Sequence, residues 1–306
     1  MKLRARSISI FEVGPRDGLQ SQSQILSLEA REELVLRLAR AGLQDIEVGS
    51  FVRDDRIPQL AQTAELMARL DRHRRELQKF KTRLWAFVPN MRGLEAALDT
   101  SVDGVSLFVA TSETFCQRNV NRSQKELLSE LELLIPKARK AKREVRIYLS
   151  TITHCPYEGA IKPSKVQRLV HALADMGVKE IALGDTTGHS TPLEIEKLLE
   201  LLMKRHKSSL FAMHLHDTRA LALANTVTAL RMGVRKIDAS VGGLGGCPYA
   251  PGAAGNLATE DLVYMLDAMG VLKNDVSLVD VANTSKWLET QLGYALPSKV
   301  LKTLYP

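Results

Sequence analysis

The most telling chemical signal in the chain is a His-x-His pair, His214 and His216, set in a run of strand-forming residues at 211–216. Side chains alternate between the two faces of a strand, so residues two apart turn both imidazoles to the same side. Such a pair is either a metal chelate or a hydrogen-bonded structural pair, and the strand alone leaves both readings open. Asp17 and Asn256, each in a loop that follows a strand-like run, favour ligation. Two nitrogens and two oxygens leave open positions on an octahedral ion, Mg²⁺ or Mn²⁺. Zinc suits the set less well, because an amide oxygen is a poor donor for it.

Arg16 directly precedes Asp17 in the segment Gly14-Pro15-Arg16-Asp17-Gly18. The flanking glycines and proline predict a constrained turn that aims both side chains, and a guanidinium fixed there can stabilise an enolate oxygen. The plainer reading is a loop salt bridge, worth little if exposed. Glu12 and Glu47 are the expected partners of Arg16, or else an ion pair in the bottom layer. Cys247 stands in a glycine-rich loop with nothing bulky around the thiol to bury it, which favours a reactive role over an inert one. The same glycines read poorly as a phosphate cradle, since no helix start follows them.

Eight strand-like runs could position these groups: 7–13, 45–49, 83–88, 104–109, 144–150, 180–184, 211–216 and 236–240. Amphipathic helical patterns separate them at 27–41, 59–73, 123–141, 163–176, 191–206 and 218–232, with a shorter one at 92–99. Gly42, Gly177 and Gly233 each close a helical pattern just before a strand, where a left-handed cap is needed. This cadence predicts an α/β fold, a TIM (β/α)₈ barrel with an additional C-terminal helix, in which residues 1–306 form a single catalytic domain. Residues 259–292 read as the last barrel helix plus the additional one. In such barrels the loops after the strands build the active site, and the residues named above fall there. So do Asp185, at the end of the sixth strand, and His154 and His189, within reach of a substrate.

The chain has 306 residues and a formal charge of +7. Its basic stretches, 69–83 and 137–146, are mixed with acidic residues and leucine at helical spacing, so they read as solvated helix faces or ends. No aromatics of the kind that stack bases interleave them, which argues against a nucleic-acid partner. Three cysteines, Cys116, Cys155 and Cys247, stand at no disulfide or zinc spacing, consistent with free thiols in a reducing compartment. No apolar run is long enough to span a bilayer, and no apolar segment follows the basic N-terminus. The expectation is a cytoplasmic protein with no membrane partner.

Three stretches carry a family resemblance: Phe11-Glu12-Val13-Gly14-Pro15-Arg16-Asp17-Gly18-Leu19-Gln20, the His214-x-His216 strand, and Ser-Val-Gly-Gly-Leu-Gly-Gly-Cys-Pro-Tyr at 240–249 with Gly-Ala-Ala-Gly-Asn at 252–256. Together they resemble the 3-hydroxy-3-methylglutaryl-CoA lyases, metal-dependent barrel lyases related to Claisen-type synthases. The likeness runs from about residue 8 to about residue 269 and includes 155–159 and 256–265. The resemblance implies that Asp17, His214, His216 and Asn256 hold the divalent cation, Mg²⁺ or Mn²⁺. It implies that Arg16 stabilises a thioester enolate and that Asp17 or a neighbour is the base. Cys247, on a mobile loop, would carry the proton that completes acetyl-CoA. Glu47 and Asp185 would orient Arg16 and the ligands, while Arg16, Gln20 and Ser50 would contact an acyl-CoA substrate. Family members are commonly homodimers.

Departures from the family pattern occur at Ser21, Gln22 and Ser23, where Asn-Glu-Lys is usual, and at Arg53-Asp54-Asp55-Arg56, where Ser-Pro-Lys-Trp is usual. Ala182 and Ala220 replace a Ser and a Gly. These changes keep open a longer-branched 3-hydroxyglutaryl-CoA as substrate. A 2-keto-acid synthase is disfavoured by the Cys247 loop and by the absence of an acidic pair after His-x-His. A basic binding protein on an inactive barrel is disfavoured because no catalytic group is missing.

Overall fold

The computed structural model describes residues 7–246, 255–273 and 276–306. Eight parallel strands close into a barrel: β1 (Ser9–Glu12), β2 (Asp45–Ser50), β3 (Arg83–Phe87), β4 (Gly104–Ala110), β5 (Glu144–Ser150), β6 (Ile181–Asp185), β7 (Phe211–Leu215) and β8 (Lys236–Ala239). Each strand pairs with its neighbours in chain order, and β1 closes the ring against β8, with Ser9 opposite Lys236 and Glu12 opposite Ala239. Every predicted strand is present, to within a residue or two at its ends.

A barrel strand is buried on both faces, so alternation sorts residues between two interiors rather than between core and water. On β5, Val145, Ile147 and Leu149 face the layer between sheet and helices, where they join the large aliphatic core. Arg146 and Tyr148 alternate with them and fill the barrel itself. Tyr148 packs there with Ala182 and Ala212, two small residues that leave room for its ring. Phe11 and Trp85 form a second interior cluster with Val13, their rings edge to face at 5.3 Å.

The helices begin where side chains cap their free N–H groups. Ser123 with Glu126 and Thr191 with Glu194 form reciprocal capping boxes for the helices Gln124–Lys140 and Pro192–Met203. Gly42, Gly177 and Gly233 take the left-handed conformation their position requires, with φ of +96°, +78° and +100°.

Three helical expectations change. The single helix expected at 59–73 is broken: a short turn at Pro58–Leu60 precedes Thr63–Asp71, and Arg74–Lys79 follows. The Thr63 hydroxyl donates to Leu60 O and accepts from the Ser50 N–H, tying the break to the end of β2. An unanticipated helix, Glu113–Val120, sits between β4 and β5, capped by Ser112. Beyond the barrel helix Thr259–Ala268 lie two helices rather than one, Leu278–Leu292 and Lys299–Leu304. The last is too short for periodicity to reveal and is anchored by Asp261, which accepts from the Ser298 hydroxyl and the Val300 N–H. Among the described residues, no helix is long and apolar enough to cross a membrane.

Candidate metal centre

The site starts in the turn after β1. The Val13 carbonyl receives the N–H groups of Arg16, Asp17 and Gly18 at 3.1, 2.7 and 3.2 Å, winding Gly14–Gly18 into a single π-helical turn. Such turns swing consecutive side chains out of register and recur at functional sites. The glycines are sterically required. A Cβ on Gly14 would fall 2.6 Å from Glu12 Oε1, and one on Gly18 would fall 2.8 Å from Ser240 Oγ and 3.0 Å from the Leu244 carbonyl.

This turn brings Asp17 over the end of β7, where His214 and His216 emerge. One ligating atom from each of the three lies within 4.8 Å of the others, with His214 Nε2 and Asp17 Oδ2 4.0 Å apart. Both imidazoles are buried, and His216 Nδ1 has no hydrogen-bond partner among the described residues. Burial, then the neighbouring His214, pushes the His216 imidazole down to about 4, so the ring is neutral with a free lone pair. Burial alone would raise Asp17, but Arg16, His214 and His216 outweigh it and hold the carboxyl well below the usual range. A carboxylate and two imidazoles placed this way fit a divalent cation.

Asn256 also reaches the site, but through its nitrogen: Nδ2 donates to Asp17 Oδ2 at 2.8 Å and to the Leu244 carbonyl at 3.2 Å. A half-turn of the amide would exchange that nitrogen for the oxygen a cation needs.

Arg16 is buried beside the cluster and points inward. Its Nε donates to Glu47 Oε2 and its Nη1 to Asp17 Oδ1, both at 2.5 Å. The guanidinium lies over the rings of Phe87 and Tyr148, 5.2 and 5.0 Å from their centroids. Burial disfavours its charge, yet Glu47 and Asp17 raise its pKa further above the ordinary arginine value. The plain reading as an exposed salt bridge is thereby excluded.

Other expected residues fall differently. Glu12 is no partner of Arg16: its carboxylate accepts from the Gly14 N–H at 2.8 Å, the Val241 N–H at 2.9 Å and the Thr259 hydroxyl at 2.6 Å, joining the turn after β1 to the loop after β8. Asp185, expected to orient Arg16 and the ligands, instead accepts from the backbone N–H groups of His189 and Ser190 and shapes its own loop. Ser50 is buried and its hydroxyl accepts from the Val52 N–H, while Gln20 is exposed. The departure at 53–56 is a solvent-facing ion pair, Arg53 with Asp55. His154 and His189 meet at the rim as stacked rings with centroids 4.2 Å apart. Cys247 lies outside the described residues.

Three interior residues escaped the sequence reading. Asp238 Oδ2 lies 3.1 Å from His214 Nδ1, Arg146 donates to Asp238 Oδ1 at 2.8 Å, and the Tyr148 hydroxyl donates to Glu47 Oε2 at 2.9 Å. The basic stretch 137–146 reads as a solvated helix face or end, but its last residue, Arg146, is buried on β5 inside the barrel. Tyr148 and Asp238 leave no signal beyond their places on expected strands.

Fold and cluster define a (β/α)₈ barrel with a candidate divalent-cation site at the C-terminal ends of its strands, where barrels of this kind carry their chemistry. The chain belongs to the HMGL-like family, an enzyme family whose model matches residues 7–288. It is 42% identical over 297 residues to the hydroxymethylglutaryl-CoA lyase of Bacillus subtilis, covering 97% of each chain. It is 40% identical over 294 residues to that of Pseudomonas mevalonii, covering 96% of this chain and 95% of the relative. Among solved structures, the Bacillus subtilis HMG-CoA lyase superposes with a TM-score of 0.95 at 42% identity over 100% of both chains. An Acinetobacter baumannii HMG-CoA lyase, solved with coenzyme A and 3-methylmalate, gives 0.90 at 30% identity over 99% of this chain and 96% of that one.

Proposed function

We propose that the protein cleaves 3-hydroxy-3-methylglutaryl-CoA to acetyl-CoA and acetoacetate. The observation that carries this is the convergence of Asp17, His214 and His216 beside a buried, doubly paired Arg16, in a chain whose relatives carry that activity in their names. Asp17, His214 and His216, with Asn256 once its amide has turned, would hold a divalent cation, Mg²⁺ or Mn²⁺. When bound, such an ion polarises the oxygens of a substrate and eases loss of a hydroxyl proton.

The remaining work falls to the chain. The hydroxyl proton passes to solvent water, the C2–C3 bond breaks, its electron pair enters the thioester as an enolate, and the hydroxyl carbon becomes the ketone of acetoacetate. Arg16 faces the developing oxyanion with a charge already fixed by Glu47, so little reorganisation is needed as the negative charge grows. Asp17 is a weak base, because Arg16 and the imidazoles depress its proton affinity, which suits a ligand better than a proton acceptor. Cys247 is assigned delivery of a proton to C2 of the enolate. Gln20, which is exposed, and Ser50, at the end of β2, are assigned to substrate contact. A single catalytic domain, a cytoplasmic homodimer, and no nucleic-acid or membrane partner belong to the same proposal.

The test is direct. Purified protein is incubated with 3-hydroxy-3-methylglutaryl-CoA and Mg²⁺ or Mn²⁺, with and without a chelator, and acetoacetate is assayed. Cation-dependent release supports the reading; no product under any condition refutes it. A longer-branched thioester run in parallel separates the two candidate substrates.

A further inference from the structure

Behind His214 a line of alternating charge runs down the inside of the barrel. His214 on β7 meets Asp238 on β8 at 3.1 Å through Nδ1, and Asp238 receives Nη2 of Arg146, on β5, at 2.8 Å. Below Arg146 comes Glu180, 2.9 Å from its Nε, and Glu180 is held in turn by Lys236 at 2.7 Å. Arg146 is 0% exposed, with its guanidinium 3.8 Å from the centre of the Phe11 ring and 4.9 Å from that of Tyr148.

A charged residue there is costly. Barrel interiors are ordinarily filled by branched aliphatic side chains, and a buried ion pair is often no more stabilising than apolar residues of the same volume. Arg146 is not even fully satisfied: Nε and Nη1 make no well-formed hydrogen bond among the described residues. An under-satisfied buried group calls for a reason other than stability. The reason lies in what the guanidinium does to Asp238. Arginine can only donate, and its Nη2 occupies Asp238 Oδ1, which leaves Oδ2 to accept from the imidazole at 3.1 Å. An imidazole nitrogen facing that carboxylate must then be the one that carries hydrogen.

We propose that Arg146 is a positioning residue for the cation: through Asp238 it locks His214 in the tautomer protonated at Nδ1, leaving the Nε2 lone pair directed towards Asp17. This rests on the reading of Asp17, His214 and His216 as ligands. Carboxylates that hold a ligating histidine in this way fix both its tautomer and its orientation. Here the carboxylate is itself held by a group one layer deeper.

Two measurements decide the matter. In metal-free wild-type protein with ¹⁵N-labelled histidine, long-range ¹H–¹⁵N correlation reads the His214 tautomer with no variant that could misfold. Hydrogen on Nδ1 is expected; hydrogen on Nε2 overturns the proposal. Mn²⁺ affinity is then measured by electron paramagnetic resonance for wild type, Arg146→Gln, Asp238→Asn and the double variant. Each single change is expected to weaken binding ~10–100-fold, and the double variant to match Asp238→Asn within about twofold, the scatter expected of uncoupled effects. Losses that multiply, or an unchanged affinity in Arg146→Gln, overturn it. Wild-type protein that binds no Mn²⁺ refutes the metal reading instead, while the tautomer still decides the link between Arg146, Asp238 and His214.

Discussion

Nε of Arg16 lies 2.5 Å from Oε2 of Glu47, and both side chains are buried at the mouth of the barrel. The same carboxylate oxygen takes the Tyr148 hydroxyl at 2.9 Å, so one anion fixes the guanidinium and the ring beneath it. A cation held this way keeps its geometry before substrate arrives, which is what electrostatic stabilisation of an enolate requires. Replacing Glu47 by Gln keeps the shape and removes the charge. The expected result is a kcat about 10²-fold lower with KM and Mn²⁺ affinity little changed; a loss confined to KM contradicts the role.

Arg16 itself admits no substitute. Lysine is a compact point charge and cannot reach Glu47 and Asp17 with a planar fork. Both Arg16→Lys and Arg16→Gln are expected to abolish turnover while Mn²⁺ still binds, as titration calorimetry can check. Loss of the cation from either variant would place Arg16 in the binding of metal rather than in the chemistry.

Two buried carboxyls flank the loop after β8 and give the stability a distinctive pH dependence. Burial pushes Glu260 up to about 8 and Glu12 up to about 7, although Ser285 and Gly242 donate to the first and Thr259, Val241 and Gly14 to the second. A carboxyl with a raised folded-state pKa binds more protons folded than unfolded. Its contribution is fully present below the unfolded value, near 4.5 for Glu260, and is lost as pH rises through about 8. Thermal melts of Glu260→Gln and wild type across this window read the effect of Glu260 together with its coupling to Glu12. The variant should gain on wild type steadily as pH rises, and parallel curves contradict the account.

Cation binding should also appear as stability, since a ligand that binds only the folded state stabilises it by mass action. At a hundredfold excess over Kd the gain is about 2.7 kcal/mol, a rise of several degrees in Tm. Asp17→Asn should abolish most of that rise, and an equal rise in the variant would place the ion elsewhere.

Much of this was legible in the sequence, for reasons that also set the limit. His214 and His216 stand two apart in a strand-like run and Asp17 follows Arg16 between glycines, so spacing shows how each is aimed, and the strand–helix cadence of a barrel puts them at one rim. Glu12 and Asp185 occupy equivalent strand ends, yet their partners are backbone N–H groups of loops whose paths no local pattern dictates. Arg146, Tyr148 and Asp238 were missed for a different reason. Both faces of a barrel strand are buried, so alternation shows that two faces exist without telling which looks inward. Asp238 gains meaning only when β7 and β8 lie side by side, with His214 opposite it.

The most direct test joins occupancy to turnover. Metal-free protein is titrated with Mn²⁺ while bound ion and acetoacetate release from 3-hydroxy-3-methylglutaryl-CoA are followed in the same samples. The predicted result is activity that rises in proportion to a single ion per chain and is absent from Asp17→Asn. Full turnover without the ion, or activity that ignores its binding, would contradict the account.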